Sequence, residues 1–173
     1  TDVRGVEASS ATSGFVGFDG ERPVFEQGMA FELRTGVDPN GGEADVIVEN
    51  YRPDVKRRLG IDYDTIAKIN PRIIYASISG FGQDGPLANR PGFDQIAQGM
   101  GGLMSITGEP GKGPMRVGIP IADLTSGLLL AQAMILALYE RERSGKGQWV
   151  HTSLIEAQIF MLDFQASRWL MEK

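Results

Sequence analysis

The sequence predicts an α/β fold, a parallel sheet with helices on both faces, over residues 44–173. Two observations predict it. Short apolar runs typical of buried strands alternate along the chain with amphipathic helical patterns, which is the order of a βαβ protein. Turn signals separate almost every pair of these segments, and the 23 glycines and 9 prolines supply many of them.

Each element rests on its own pattern. Apolar runs bounded by turn residues predict strands at residues 44–50, 72–80, 116–123 and 148–153. Apolar positions at helical spacing predict helices at residues 52–60, 62–70, 93–108, 124–143 and 154–173. We expect Ile66 and Ile69 to face inward from their helix, which Pro71 stops. Three glycines weaken the helix at residues 93–108.

Residues 1–43 differ in character from the rest of the chain. They are rich in Gly, Ser, Asp and Glu and show no sustained period. FDGERPVF is typical of two short strands around a turn, and GVDPNGG is typical of a loop or linker. The sequence therefore predicts a segment of short strands or loop at residues 1–43 and an α/β domain at residues 44–173.

Composition narrows the chemistry that the chain can carry. A net charge of −5 argues against broad electrostatic binding to nucleic acid or to an anionic membrane. The chain has no Cys and one His, so we expect no metal site and no Cys nucleophile. That one residue, His151, lies in a predicted strand, where a structural role is the usual one. Any chemistry that the chain performs must therefore use the remaining groups, which are carboxylates, hydroxyls, amides, Lys, Arg and backbone N–H groups.

Two features of the sequence bear on the cellular location of the protein. No signal peptide pattern opens the chain. The longest apolar run, at residues 128–139, is shorter than the roughly 20 residues of a membrane span. We therefore expect a cytoplasmic protein with no membrane partner.

Asp123 is a carboxylate with two compatible interpretations. It ends the predicted strand at residues 116–123, just before the long helix. Asp is a favoured N-cap, and its charge suits the positive end of the helix dipole. A helix N-terminus also keeps a carboxylate ionised, as a nucleophile requires, and the N–H groups of residues 124–127 would receive an oxyanion.

Two further motifs suggest phosphate binding on spacing alone. GFGQDG, at residues 80–85, matches the dinucleotide fingerprint G-x-G-x-x-G, which requires a helix to open there. Pro86 and Pro91 stand too close together for that helix, so we expect a loop. The basic cluster at residues 56–58, with Arg52 before it, is typical of a solvated helix face and would also suit phosphates.

Three stretches of the chain resemble the family III CoA-transferases. They are ADVIVENYRPDVKRRLGIDYD, NPRIIYASISGFGQDGPLANRPGFDQIAQGMGGLMSITGEP and VGIPIADLTSGLLLAQAMILALYERERSGKGQWVHTSLIEA. This group includes formyl-CoA transferase, the carnitine CoA-transferases and α-methylacyl-CoA racemase. The resemblance implies the Rossmann-like part of that fold, coenzyme A or acyl-CoA as substrate, a carboxylic acid acceptor, and a homodimer.

The resemblance also implies roles for individual residues. Asp123 falls at the catalytic Asp, whose carboxylate attacks the acyl-CoA and passes through an aspartyl-CoA thioester. Asp94 falls at an acidic position beside it in the catalytic site. Four residues fall at the CoA site: Asn50, Tyr51, Arg52 and Arg58. The racemase branch has a His where this chain has Phe93, so one base of a two-base racemisation is missing and a transferase is favoured.

The chain departs from the family at both ends. The usual first strand, of the type R-V-L-D-L, has no counterpart in residues 1–43, so we expect these residues or a second copy to cover the exposed sheet edge. Members also continue into a smaller domain that closes over the Asp. Two alternatives to an active transferase follow: a truncated, catalytically inactive CoA-binding remnant, and a structural or interaction module.

Overall fold

The structure is a computed structural model that describes residues 44–172 with their side chains and, before them, the backbone of four strands. These are β1 (Val6–Thr12), β2 (Phe15–Asp19), β3 (Arg22–Phe25) and β4 (Met29–Thr35). β2 and β3 pair antiparallel, which confirms the two strands predicted for FDGERPVF. The loop predicted at GVDPNGG lies outside the described residues.

After residue 44 the described chain alternates between strands and helices. The strands are β5 (Val46–Glu49), β6 (Ile74–Ser79) and β7 (Gln148–Ser153). The helices are α1 (Pro53–Leu59), α2 (Tyr63–Ile69), α3 (Asp94–Met100), α4 (Ile121–Ser144), α5 (Leu154–Leu162) and α6 (Phe164–Met171), with a 3₁₀ turn at Leu103–Ile106. The predicted α/β class is confirmed.

The strands form a sheet in the order β1-β4-β5-β6-β7. β5, β6 and β7 are parallel, with Val46 opposite Ile74 and Glu49 opposite Ser77. β4 pairs antiparallel with the other edge of β5. Residues of the N-terminal segment thus occupy the edge for which the sequence supplies no parallel strand.

The contacts divide the chain into two units. The first comprises residues up to Ser77 together with Gln132–Val150. The second comprises Ile78–Ala131 and His151–Lys173.

Side chains alternate between the two faces along each strand, and buried clusters cover both faces of the sheet in the first unit. One buried cluster joins β5 and β6 to α4 through Val46, Ile74 and Ala137. The other lies on the opposite face and consists of Ile66, Ile73 and Tyr75. The prediction that Ile69 faces inward is wrong, since its side chain is 56% exposed at the end of α2.

A smaller apolar cluster holds the second unit together. Ala97 of α3, Ala122 of α4 and Leu154 of α5 are buried against one another, with Ile78 packed beside them. These short side chains bring the first turn of α4 close to α3. The first turn of α4, which carries Asp123, therefore lies beside α3, which carries Asp94.

Two predicted helices are broken in the structure. The segment at residues 93–108 ends its α-helix at Met100, because Gly102 takes a left-handed φ of 92°. A Cβ at Gly101 would lie 2.4 Å from Cγ of Gln158, so α5 approaches the backbone too closely for any larger residue. The segment at residues 154–173 is divided between α5 and α6 by Asp163, at φ 45°.

The helix α4 contains 24 residues, more than the apolar run at residues 128–139 suggested. By length and composition it is apolar enough to cross a membrane, a property that core helices of soluble proteins share. In the first unit its Ala137 is buried against the sheet. Its Arg141 is also buried there and pairs with Asp45 at 2.7 Å.

Candidate functional site

Asp123 lies inside the first turn of α4, which begins at Ile121. The strand predicted at residues 116–123 is therefore wrong, since residues 113–120 form no regular element. Pro120 explains the difference: it has no N–H for a strand ladder but is well tolerated where a helix starts. The N–H of Leu124 closes the first turn by donating to the Pro120 carbonyl at 3.0 Å.

The capping group of α4 comes from another helix. Oδ1 of Asp94 accepts from the N–H of Ala122 at 2.7 Å and from that of Asp123 at 3.4 Å. These are N–H groups that a helix leaves without an internal partner. The interpretation of Asp123 as the N-cap is thus wrong, because Asp94 of α3 takes that role.

The carboxylate of Asp123 is left available by this arrangement. The residue is exposed, and among the described residues its side chain makes no hydrogen bond. Although the residue is exposed, partial desolvation of its carboxyl raises the Asp123 pKa above its usual value, and the charge of Asp94 raises it further. This direction is opposite to the one expected from a helix N-terminus alone. A more basic carboxylate is a better nucleophile while it remains ionised.

Gln98 completes this group, and no sequence argument had singled it out. It is fully buried one turn after Asp94 on α3. Its Nε2 donates to Oδ2 of Asp94 at 2.7 Å, and its Oε1 accepts from the N–H of Val117 at 2.8 Å. Both Asp94 oxygens are therefore engaged, and the chain before α4 is held in place. The i, i+4 spacing of Asp and Gln was the available signal.

The N–H groups of residues 124–127 do not form an oxyanion site. The N–H of Leu124 is taken by Pro120, and those that follow lie within the helix and its own hydrogen bonds. The two N–H groups before them point to Asp94. That expectation from the sequence is wrong.

The glycine-rich loop before α3 is a structural connection. Its N-terminal Gly80 approaches Gly92 so closely that a Cβ on Gly80 would lie 2.4 Å from the Gly92 Cα. Ser79 Oγ donates to the Gly82 carbonyl at 2.8 Å. The next helix begins at Asp94, well after GFGQDG, so the structure confirms the loop and lacks the helix that a dinucleotide site requires.

The residues that resemblance assigns to CoA lie in the first unit, directly after β5. Asn50 is exposed at the strand end, and Arg58 is exposed on α1. Arg52 pairs with Asp54 at 3.2 Å. The two carboxylates Asp94 and Asp123 belong to the second unit.

Tyr51 lies partly buried within this segment, and its hydroxyl is buried without a hydrogen-bond partner in the described structure. Burial raises the pKa of the Tyr51 hydroxyl, and the charge of Glu49 adds to that shift. A buried hydroxyl without a partner costs free energy.

The basic cluster at residues 56–58 is only partly a solvated face. Arg57 and Arg58 are exposed, but Lys56 is buried at 2% exposure. Lys56 Nζ donates to Glu49 at 2.7 Å and to Ser77 Oγ at 3.1 Å. Burial lowers the pKa of the Lys56 ammonium, and the Glu49 charge acts in the opposite direction. Sequence alone did not predict this, because burial of a Lys depends on a partner from another element.

Comparison with known proteins decides the family. The family model described as CoA-transferase family III matches residues 42–173. The chain belongs to this family. It is 47% identical over 128 residues to an acetyl-CoA:oxalate CoA-transferase of Acetobacter aceti, a match that covers 73% of this chain and 33% of that protein. It is 43% identical over 128 residues to a succinate–glutarate CoA-transferase of Agrobacterium fabrum, covering 74% and 32%.

Solved structures give the same result for this member of CoA-transferase family III. A CAIB/BAIF family protein from Brucella suis superposes with a TM-score of 0.72 at 41% identity, over 75% of this chain and 35% of that one. The chain thus spans only 28% to 33% of the length of the first three curated relatives and 35% of this solved one.

Proposed function

We propose that the protein transfers coenzyme A between carboxylic acids, with Asp123 as the nucleophile. The observation that carries this proposal is the exposed Asp123 carboxylate, which makes no side-chain hydrogen bond within the described residues. It stands in the first turn of α4, next to Asp94, in a chain of CoA-transferase family III. Carboxylate catalysis of this kind requires neither a metal nor a thiol on the protein.

The proposed reaction moves coenzyme A from the donor acid to the acceptor acid through covalent intermediates on Asp123. The Asp123 carboxylate attacks the thioester carbonyl of the donor, and CoA leaves as a thiolate to give a mixed anhydride. The thiolate then attacks the Asp123 carbonyl, releasing the donor acid and forming an aspartyl-CoA thioester. The acceptor carboxylate attacks that thioester, which forms a second mixed anhydride with Asp123 and releases the CoA thiolate. The thiolate then attacks the acceptor's acyl carbon and displaces the Asp123 carboxylate. Asp123 is regenerated as a free carboxylate.

Asp94 supports these steps through the backbone and through its charge. Its bonds to the first N–H groups of α4 fix the helix start that carries Asp123. Its negative charge keeps the Asp123 pKa raised, which favours nucleophilic attack. A racemase remains disfavoured, since Phe93 stands 67% exposed where that reaction needs a second base.

Dicarboxylic acids are the acceptors and donors we propose to test first. The names of the relatives include oxalate, succinate and glutarate. We propose that the thioester is held through Asn50–Arg52 and Arg58. The Asn50 amide and the Arg58 guanidinium are exposed, Arg52 is half-buried beside Asp54, and guanidinium groups suit the phosphates of CoA.

Transfer activity tests the proposal directly. Purified protein is given succinyl-CoA or acetyl-CoA with oxalate or glutarate, and new thioesters are measured by chromatography. Asp123→Ala is expected to abolish transfer. Asp64→Ala is the matched control, because Asp64 is also an exposed Asp in the first turn of a helix. Full activity of Asp123→Ala would contradict the proposal. CoA binding without transfer by the wild-type protein would support the inactive CoA-binding alternative, and absence of both would support an interaction module.

We also propose that the active form is a homodimer. Large apolar side chains on α4 and α6 support this, with Leu128 67%, Phe164 63% and Trp169 73% exposed. Exposed apolar groups of this size are typical of surfaces that another chain covers. Analytical ultracentrifugation over a range of protein concentrations tests it, and a monomer at every concentration would contradict it.

A further inference from the structure

A buried ion pair lies directly beside the segment that the proposed function assigns to CoA. Glu49 is the last residue of β5 and Lys56 belongs to α1, and their side chains are 1% and 3% exposed. Lys56 Nζ donates to Glu49 Oε1 at 2.7 Å. The pair brackets Asn50–Arg52 in the sequence, so it joins the strand before this segment to the helix after it.

The second oxygen of the Glu49 carboxylate binds the backbone of the segment itself. The N–H of Tyr51 donates to Glu49 Oε2 at 2.8 Å. Each carboxylate oxygen therefore has its own donor, and a rotation that improved one bond would break the other. The Tyr51 backbone is thus bonded to the Glu49 carboxylate, and Lys56 fixes the orientation of that carboxylate through its other oxygen.

Two neighbouring strands hold Lys56 in turn. Its Nζ donates to Ser77 Oγ on β6 at 3.1 Å, and Ser77 is the register partner of Glu49. Trp149 on β7 donates from Nε1 to the same Ser77 oxygen at 2.9 Å. The ammonium also lies 4.9 Å from the centroid of the Trp149 ring, within reach of a cation–π interaction. The pair is therefore anchored to three adjacent parallel strands.

Stability alone does not account for such a pair. Removing two charges from water costs free energy that their attraction often fails to return, and apolar residues of similar size frequently serve as well. What the charged pair supplies, and an apolar pair would not, is a directed bond to the Tyr51 N–H. That bond acts on the segment where the CoA-site residues lie.

We infer that Glu49 is a positioning residue for CoA binding and that Lys56 holds its carboxylate in place. The pair orders the backbone of Asn50–Arg52 before the ligand arrives, so less conformational entropy is lost on binding. This inference rests on the proposed function for the identity of the ligand. The ordering of the backbone does not depend on it.

Two double variants separate positioning from the burial of charge. Glu49→Leu/Lys56→Met removes both charges and the acceptor for the Tyr51 N–H. Glu49→Gln/Lys56→Met also removes both charges but retains an amide oxygen as acceptor. Because neither leaves an unpaired buried charge, both are expected to fold, which circular dichroism and a thermal melt will establish.

Amide exchange at Tyr51, followed by NMR, is the first measurement. The N–H of Thr65, which donates to Asp62 Oδ1 at 3.2 Å in α2, serves as reference. Exchange at Tyr51 relative to Thr65 is expected to rise about tenfold or more in the Leu/Met variant and to stay near wild type in the Gln/Met variant. CoA affinity, measured by calorimetry, is expected to weaken about tenfold in the former only.

The outcomes distinguish this inference from the proposed function. Unchanged exchange at Tyr51 in the Leu/Met variant overturns it, as does equal acceleration in both variants. Faster exchange with CoA affinity within about twofold of wild type overturns the binding role. If the wild-type protein binds no CoA, the proposed function fails, and exchange at Tyr51 still decides whether Glu49 orders the segment.

Discussion

Asp94, and not Asp123, caps the N-terminus of α4, and this difference predicts how each residue contributes to stability. Asp94→Ala removes the cap of α4, and loss of a cap typically costs about 1 kcal/mol. It also leaves buried Gln98 Nε2 with only the Ile119 carbonyl at 3.3 Å, which we expect to add about 1 kcal/mol. The total of about 2 kcal/mol corresponds to a fall in Tm of about 4–8 °C for a chain of this size.

Asp123→Ala is the matched comparison, on the same helix turn. Its side chain makes no hydrogen bond among the described residues, and its favourable interaction with the helix dipole is opposed by repulsion from Asp94. We expect its stability to stay within about 0.5 kcal/mol of wild type. Urea unfolding of both variants, with Asp94→Asn as the variant that keeps an oxygen acceptor, measures the difference. A cost for Asp123→Ala equal to that for Asp94→Ala would refute the capping argument.

Three further predictions concern charge and packing. Asp94→Asn removes a negative charge that raises the Asp123 pKa, so the acidic limb of the kcat/KM profile against pH should move to lower pH; an unmoved limb counts against that coupling. Lys56→Met alone leaves its carboxylate partner buried without its cation, and should cost about 3–5 kcal/mol in chemical unfolding. A cost below about 1 kcal/mol would contradict the buried ion pair. Gly80→Ala places a Cβ 2.4 Å from the Gly92 backbone and should destabilise the protein strongly. Gly127→Ala is the control, because a Cβ there has no atom within 4 Å, and it should stabilise α4 by about 0.5–1 kcal/mol. Similar melting temperatures for the two variants would contradict the geometry.

The regular part of the fold was predictable because local pattern and tertiary packing agree there. β5 and β6 are short apolar runs closed by turn residues, and α1 ends at Gly60 in the left-handed conformation that a C-cap favours. The strand predicted at residues 116–123 failed because an apolar run of that length is equally compatible with a loop leading into a helix. The helix predicted at residues 93–108 breaks among the three glycines that weaken it, but the close approach of α5 to Gly101 is not visible in the local pattern.

The candidate site was predictable only in part, and for a similar reason. Asp123, Asp94 and the residues proposed to bind CoA were assigned by resemblance, which carries residue positions but not contacts. The capping of α4 by Asp94 and the burial of Lys56 against Glu49 join residues that are 28 and 7 positions apart. Such pairings depend on how whole elements pack. The sequence around the start of α4 therefore suggested Asp123 as the N-cap, because the approach of Asp94 from α3 is not visible in it.

Capture of the covalent intermediate shows whether Asp123 is the nucleophile. The protein is mixed with an acyl-CoA donor in the absence of acceptor, quenched with hydroxylamine, digested, and analysed by tandem mass spectrometry. We expect a hydroxamate on Asp123, formed by attack of hydroxylamine on the aspartyl thioester, and none on the matched Asp64. A donor that is consumed while Asp123 remains unmodified, or a hydroxamate on a different carboxylate, would contradict it.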